Sequence, residues 1–375
     1  MGRPKVTSNK AKPRWLGYAL LLALALLALW QQRSGYTNPS PAGTANLRVY
    51  FMPEDEDKAL SALNDSLGGA RRTLDLALLE LNDTRLGSLL VSVAARGVRV
   101  RIFSEREHRT ETLQTLLAAR QGQQRGRPRV SGAEARAAAS PSGAHCERIA
   151  KINVCYDDRP GLMHDKFAVV DDSAAWSGST NWSYNGLHKN DNDLLLLSGQ
   201  PAAKVYHDAF TALWERKGSS PSPKTLDLGG GKAEVYFAPS FGRQAEARIV
   251  KELQGAQKEI LMAAFVLTNP RIISALNAAA RRGVMVRVLL ERRNLPDSRE
   301  EDLDEKVQTR LDANPYTMHL KTIVIDDRSV ITGSFNFTRS AVSRNDENLL
   351  VLTYPKLARR YKEKVWELWQ AASRR

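Results

Sequence analysis

One pattern occurs twice in this chain at matching spacing, and no other property of the sequence limits the architecture as much. Residues 164–181 read HDKFAVVDDSAAWSGSTN, and residues 319–336 read HLKTIVIDDRSVITGSFN. Both fit H-x-K-x4-D-x6-G-S-x-N. The first copy supplies His164, Lys166, Asp171, Gly178, Ser179 and Asn181. The second supplies His319, Lys321, Asp326, Gly333, Ser334 and Asn336. Six fixed positions recur in register 155 residues apart (319 minus 164). An internal repeat of this kind sets the architecture before any local propensity does.

The match runs well beyond the signature. VYFMP at 49–53 pairs with VYFAP at 235–239, and RGVRVR at 96–101 pairs with RGVMVR at 282–287, both at an offset of 186. NDNDLLLL at 190–197 pairs with NDENLLVL at 345–352, and Tyr206…Trp214 with Tyr361…Trp369, at an offset of 155. The first repeat therefore carries 31 extra residues (186 minus 155) ahead of its signature. Within each repeat, VYF reads as a strand, then a helix. LDLALLEL and ILMAAFVL are apolar runs of buried-strand type. A second helix ends at Arg96-Gly97 or Arg282-Gly283, with glycine in the usual C-terminal place. VRVRIF, VMVRVLL and the signature itself are strands. The period of two puts His164 and Lys166, or His319 and Lys321, on one face. Alternating strands and helices predict an α/β fold, each repeat a mixed β-sheet flanked by helices.

The doubled pattern resembles the HKD signature of the phospholipase D superfamily. The resemblance spans roughly residues 46–371. It implies two tandem repeats packed with pseudo-two-fold symmetry, and a phosphodiesterase site assembled from both copies. A phosphodiester is anionic and its leaving group is poor. Its cleavage needs charge neutralisation, a nucleophile and a proton donor. Two signatures offer two imidazoles and two ammonium groups. By resemblance, one histidine attacks phosphorus to give a phosphohistidine, and the other protonates the departing oxygen and then activates water or an alcohol. Lys166 and Lys321 would hold the non-bridging oxygens, helped by Ser179, Asn181, Ser334 and Asn336. Asp171 and Asp326 complete the catalytic signature, with bracing of the fold the simpler role for them. No metal or cofactor is implied, because the lysines supply the charge a cation would bring.

Related enzymes use a downstream Glu to orient a histidine through Nδ1. Glu347 lies 28 residues after His319, and the matching residue after His164 is Asn192. Read within each repeat, a carboxylate stands behind His319 and a neutral amide behind His164. That reading makes His319 the initial general acid and His164 the nucleophile.

The ends and linkers set the remaining expectations. Residues 15–30, WLGYALLLALALLALW, carry no charge and follow five cations with no acid. That is the layout of a signal anchor or signal peptide, with the N-terminus cytoplasmic and the catalytic part beyond the membrane. The bulky end of the segment offers no good cleavage site, which favours a transmembrane anchor. The expected organisation is leader and anchor over 1–32, stalk over 33–45, repeat 1 over 46–216, linker over 217–231 and repeat 2 over 232–375. The insertion in repeat 1, about 105–150, reads as a loop over the site mouth. Cys146 and Cys155 are the only cysteines. They form a disulfide in an oxidising compartment and remain free thiols otherwise. The net charge of +14 suits a polyanionic partner, either an anionic phospholipid membrane or nucleic acid. The expected activity is head-group phosphodiester cleavage or transfer on phospholipids. A metal-independent endonuclease and a cardiolipin synthase-like phosphatidyltransferase are the alternatives. Both half-sites in one chain fit a monomer.

Overall fold

The structure is a computed structural model that describes residues 44–124 and 145–374. The leader, the apolar segment, nearly all of the stalk and the middle of the insertion lie outside the described residues. Among those described, no helix is long and apolar enough to cross a membrane.

Repeat 1 runs β1 (Asn46–Met52), α1 (Glu56–Gly68), β2 (Thr73–Leu78), α2 (Thr84–Ala95), β3 (Arg99–Glu105), α3 (Arg109–Gln124), β4 (His145–Ile149), β5 (Ile152–Asp157), β6 (Lys166–Val170), β7 (Ala174–Gly178), α4 (Tyr184–His188), β8 (Asn192–Ser198) and α5 (Gln200–Trp214). The linker contributes β9 (Lys224–Asp227). Repeat 2 runs β10 (Lys232–Ala238), α6 (Gly242–Gly255), β11 (Glu259–Ala264), α7 (Pro270–Arg281), β12 (Met285–Leu290), β13 (Gln308–Leu311), β14 (Lys321–Ile325), β15 (Ser329–Gly333), α8 (Arg339–Ser343), β16 (Glu347–Thr353), α9 (Pro355–Ala371) and β17 (Ser373–Arg374). The first sheet is ordered β1-β8-β7-β6-β2-β3-β5-β4 and the second β17-β13-β12-β11-β14-β15-β16-β10-β9. Without the edge strands β4, β9 and β17, the two orders correspond strand for strand. In each, three strands are parallel (β2, β3, β5; β11, β12, β13) and the rest antiparallel, so both sheets are mixed.

Local sequence explains the helix starts. Asp83 accepts a hydrogen bond from Leu86 N at 2.9 Å and opens α2. Asn269 caps α7 in the same way, with Pro270 in the first turn. Helices α1, α2 and α3 cover the outer face of the first sheet, and α6 and α7 the outer face of the second. The inner faces, with α5 and α9, share one core. Its aromatic contacts cross between repeats: Phe167 meets Phe237 at 6.2 Å and Phe51 meets Tyr361 at 5.0 Å, both edge-on. Trp369 is buried in that core and Trp214 packs against it.

Two segments differ from the sequence reading. The described parts of the insertion are not loop: they form α3, packed on α2, and β4. Strand β4 makes a hairpin with β5 in which Cys146 faces Cys155, and the pair is disulfide-bonded. The linker is likewise partly ordered, because β9 pairs with β10 while Asp227 O accepts Ala45 N at 2.8 Å at the edge of the first sheet.

The signature aspartates sit at the far ends of β6 and β14 from the histidines. Asp171 and Asp326 adopt φ of 49° and 51°, which aspartate tolerates. Asp171 accepts from Arg71, Arg72 and Thr73 N at 2.8–3.0 Å. Asp326 accepts from Gln257, Lys258 and Glu259 N at 2.8–2.9 Å. They brace the turn into β2 and β11, so their placement among the catalytic residues is corrected. Burial opposes the charge, yet the three N–H donors on each hold both carboxyls below the ordinary value. Asp171→Asn and Asp326→Asn should each cost about 1–2 kcal/mol of stability at neutral pH. A depressed folded pKa means the contribution is present above the ordinary carboxyl range and lost as the pH falls through the folded value. Denaturant melts should therefore find the difference from the unaltered chain shrinking in acid.

Candidate active site

The residues leading into each signature cross to the other repeat. Met163 bridges to Asp346, and Met318 to Asp191. His164 N donates to Asp346 O at 3.0 Å and His319 N to Asp191 O at 2.8 Å. In return Asp346 N donates to Leu162 O at 2.8 Å and Asp191 N to Thr317 O at 2.9 Å. Two carboxylates clamp the same segments from below: Glu105 accepts Met163 N at 2.8 Å and Glu291 accepts Met318 N at 2.6 Å. Glu105 and Glu291 were missed in the sequence, although their 186-residue offset matches the repeat.

Both histidines are 6% exposed and lie at the junction of the repeats. Their supports come from across that junction. His164 Nδ1 bonds Glu347 Oε2 at 2.8 Å. His319 Nδ1 lies 2.9 Å from Asn192 Oδ1 and 3.1 Å from Ser179 O. The within-repeat reading is therefore reversed. Glu347 stands behind His164, and Asn192 behind His319. The 28-residue spacing located the supporting residues, but spacing carries no information about which histidine they meet across a two-fold.

Ser179 and Ser334, expected at the phosphate, are fully buried and orient the supports. Ser334 Oγ donates to Glu347 Oε2 at 2.7 Å, and Ser179 Oγ to Asn192 Oδ1 at 2.9 Å. Gly178 and Gly333 make this possible. Their φ values are 129° and 134°, and a Cβ would lie 2.4 Å from Asp193 O or Asn348 O on the neighbouring strand. Asn181 and Asn336 differ from the serines. Each keeps a buried Oδ1 without a hydrogen-bond partner among the described residues, as a substrate-directed amide would.

Lys166 and Lys321 are buried, and each Nζ donates to the carbonyl of its own histidine, at 2.5 and 2.6 Å. Burial pulls Lys166 down to about 8, against the attraction of Glu347 and Asp165. Burial and the nearby Lys166 ammonium push Lys321 well down. Burial and the two lysines push both imidazoles well below their ordinary value. Burial raises Glu347 to about 7, with Lys166 opposing. Burial and mutual repulsion thus disfavour the charged forms of all four nitrogen bases, and an entering phosphate anion would favour them. Phe265, also missed in the sequence, borders this group: its ring is 4.6 Å from the His319 ring and 4.4 Å from Lys321 Nζ. Its counterpart in repeat 1 is Leu79 (265 minus 186). Glu80, His108 and Glu111 offer three ligand atoms within 4.8 Å of one another, but none is a signature residue.

The fold and site define a class: two interlocked α/β repeats that bring paired histidines and lysines into one buried place suited to a phosphodiester. A family model described as "Cardiolipin synthase, PLD-like domain" matches residues 63–214 and 249–369. The chain belongs to the phospholipase D superfamily of phosphodiesterases. A phospholipase D of Rickettsia prowazekii is 42% identical over 138 residues, which are 36% of this chain and 66% of the relative. A human mitochondrial cardiolipin hydrolase is 29% identical over 165 residues, 44% of this chain and 54% of the relative. The chain thus spans less than two thirds of either relative. A solved phosphatidylserine synthase of Haemophilus influenzae shares the fold, with a TM-score of 0.61 at 11% identity, covering 88% of this chain and 87% of its own.

The Nδ1 acceptors fix a tautomer. Each neutral ring should carry its proton on Nδ1 and leave Nε2 bare, opposite to the preference of free imidazole. Nitrogen-15 spectra at pH 8 should report Nδ1–H for both His164 and His319. Nε2–H signals would contradict the assigned supports.

Proposed function

We propose that the chain is a phospholipase D-type phosphodiesterase that cleaves the head-group bond of phospholipids through a phosphohistidine on His164. The observation that carries the reading is the crossed pair of supports, Glu347 on His164 and Asn192 on His319. A nucleophilic ring starts neutral and gains a full positive charge as its N–P bond forms. A carboxylate on its Nδ1–H stabilises that charge more in the transition state than before it. A general acid does the reverse: it starts charged and ends neutral, so a carboxylate would hold the proton back. A neutral amide leaves it a stronger acid. His164 thus remains the nucleophile, for a reason opposite to the one the within-repeat reading supplied.

In the first step His164 Nε2 attacks phosphorus and the bond to the head-group oxygen breaks. The phosphate anion, once bound, favours the imidazolium form of His319, which gives that oxygen its proton from Nε2 and keeps the other on Nδ1. In the second, neutral His319 takes a proton from water, whose oxygen attacks phosphorus and releases His164. An alcohol in place of water gives transfer. Lys166 and Lys321 offset the charge of the non-bridging oxygens, so EDTA should leave turnover largely intact. The leader supports a single membrane anchor with the catalytic part beyond the cytoplasm, and one chain suffices for the site.

Turnover of phosphatidylcholine, phosphatidylglycerol, cardiolipin and plasmid DNA, run in parallel with EDTA, tests the substrate class. Cleavage of plasmid alone would make the protein a nuclease. Acid-quenched mass spectrometry tests the roles. His319→Ala should still form an adduct on His164 with a good leaving group, and His164→Ala should form none. Glu347→Gln should lower kcat/KM about 100-fold, since the carboxylate behind the ring acts only through it. It should also move the acid limb to lower pH, because the Glu347 carboxyl, raised by burial to about 7, no longer takes up a proton beside His164. His164, pushed down by burial and two lysines, then titrates alone. A phosphoryl group found only on His319 would reverse the assignment.

A further inference from the structure

Five large hydrophobic side chains are exposed among the described residues: Leu117, Leu162, Tyr184, Met285 and Tyr316. Three of the five adjoin the signatures. Leu162 precedes His164 by two residues, Tyr316 precedes His319 by three, and Tyr184 follows Asn181 by three. They are 40%, 44% and 53% exposed. Such residues scattered singly need no explanation, but a set gathered around one site does.

Their backbones are fixed. Leu162 N donates to Asn345 Oδ1 at 3.3 Å, and its carbonyl accepts from Asp346 across the repeat junction. Tyr316 N donates to Asn314 Oδ1 at 2.7 Å, and Tyr184 N to Asn82 Oδ1 at 2.8 Å. The exposed side chains therefore stand on pinned segments that run directly into or out of the catalytic strands.

Cations accompany them at positions related by the repeat. Lys189 Nζ lies 5.4 Å from the Tyr316 ring centre. Its counterpart Arg344 (189 plus 155) is exposed, and its backbone carbonyl abuts Gly161, next to Leu162. The counterpart of Tyr184 is Arg339 (184 plus 155), which is exposed. None of these three cations forms an ion pair among the described residues. Apolar tips interleaved with unpaired cations around a site fit one surface, an anionic phospholipid bilayer. The tips enter the interface and the cations meet the head groups. Leu162 argues against nucleic acid, where stacking rings would be expected at each place.

We propose that Leu162, Tyr184 and Tyr316, with Lys189, Arg339 and Arg344, form a membrane-docking rim that seats the site on an anionic bilayer. This deepens the phospholipid reading and rests on it for the substrate, while the docking has its own readout. Leu162→Cys in the full-length chain, labelled with an environment-sensitive fluorophore, should shift to the blue on phosphatidylglycerol vesicles and less on phosphatidylcholine vesicles. Met285→Cys labelled alike is the comparison, because Met285 begins β12 at the end away from the histidines. Its label should not move. No shift at position 162, or equal shifts at both positions, would overturn the docking rim whether or not lipid is cleaved. A shift with no phospholipid turnover would instead overturn the functional reading and leave the rim standing. Independently, the triple variant Leu162→Ser/Tyr184→Ser/Tyr316→Ser should lower the ratio of vesicle turnover to bis(4-nitrophenyl) phosphate turnover by about tenfold or more. An unchanged ratio would overturn the proposal. So would a fall confined to plasmid cleavage, which would mark the rim as a nucleic-acid surface.

Discussion

The hydrogen bonds from His164 N to Asp346 O and from His319 N to Asp191 O tie each signature to the repeat it does not belong to. Much of the site depends on that exchange. It places residue 347 behind His164 and residue 192 behind His319. It fixes the strand ends from which Lys166 and Lys321 emerge. It also draws in Glu105 and Glu291, whose carboxylates hold the crossing segments from their own sheets. The shared core below continues the junction as Ser177 bonds Asn348 and Tyr361 bonds Asp193, at 2.8 and 2.5 Å. Buried polar groups of this sort must be satisfied together, which makes the junction specific as well as tight.

The electrostatics follow from the same geometry. Two amines and two imidazoles share a buried space in which Glu347 is the one carboxylate bonded to a ring. Burial makes the charge on each amine costly and strengthens the repulsion between the two. An anionic phosphorus centre removes the repulsion at the moment it binds. The amines need no reorganisation then, since their own histidine carbonyls already hold them in place.

Much of this was legible in the chain. The doubled signature gave the two repeats, the mixed sheets and the pairing of His164 with His319, because a six-residue pattern kept at constant offset survives without knowledge of folding. The supports were found by spacing but attached to the wrong rings. A linear offset is blind to which of two equivalent neighbours lies across a symmetry axis. Ser179 and Ser334 were misread because a hydroxyl near a phosphate site looks the same in sequence whether it faces the substrate or a buried carboxylate. Phe265 left no trace, since its counterpart is Leu79 and each looks like the end of an apolar strand. The helix at 109–124 was hidden by its polar composition, which resembles that of a loop.

The unlike residues behind the two rings have a consequence for how such a site can arise. Two identical chains meeting about a true two-fold axis would be obliged to place the same residue behind both histidines, and every change would appear twice. Joining the copies end to end lifts that obligation. The carboxylate at 347 and the amide at 192 can then be selected separately, each for the single step its ring performs. In this chain the covalent link between the repeats, with β9 stitched to the edge of both sheets, is what allows one half of a symmetric frame to specialise as nucleophile and the other as acid.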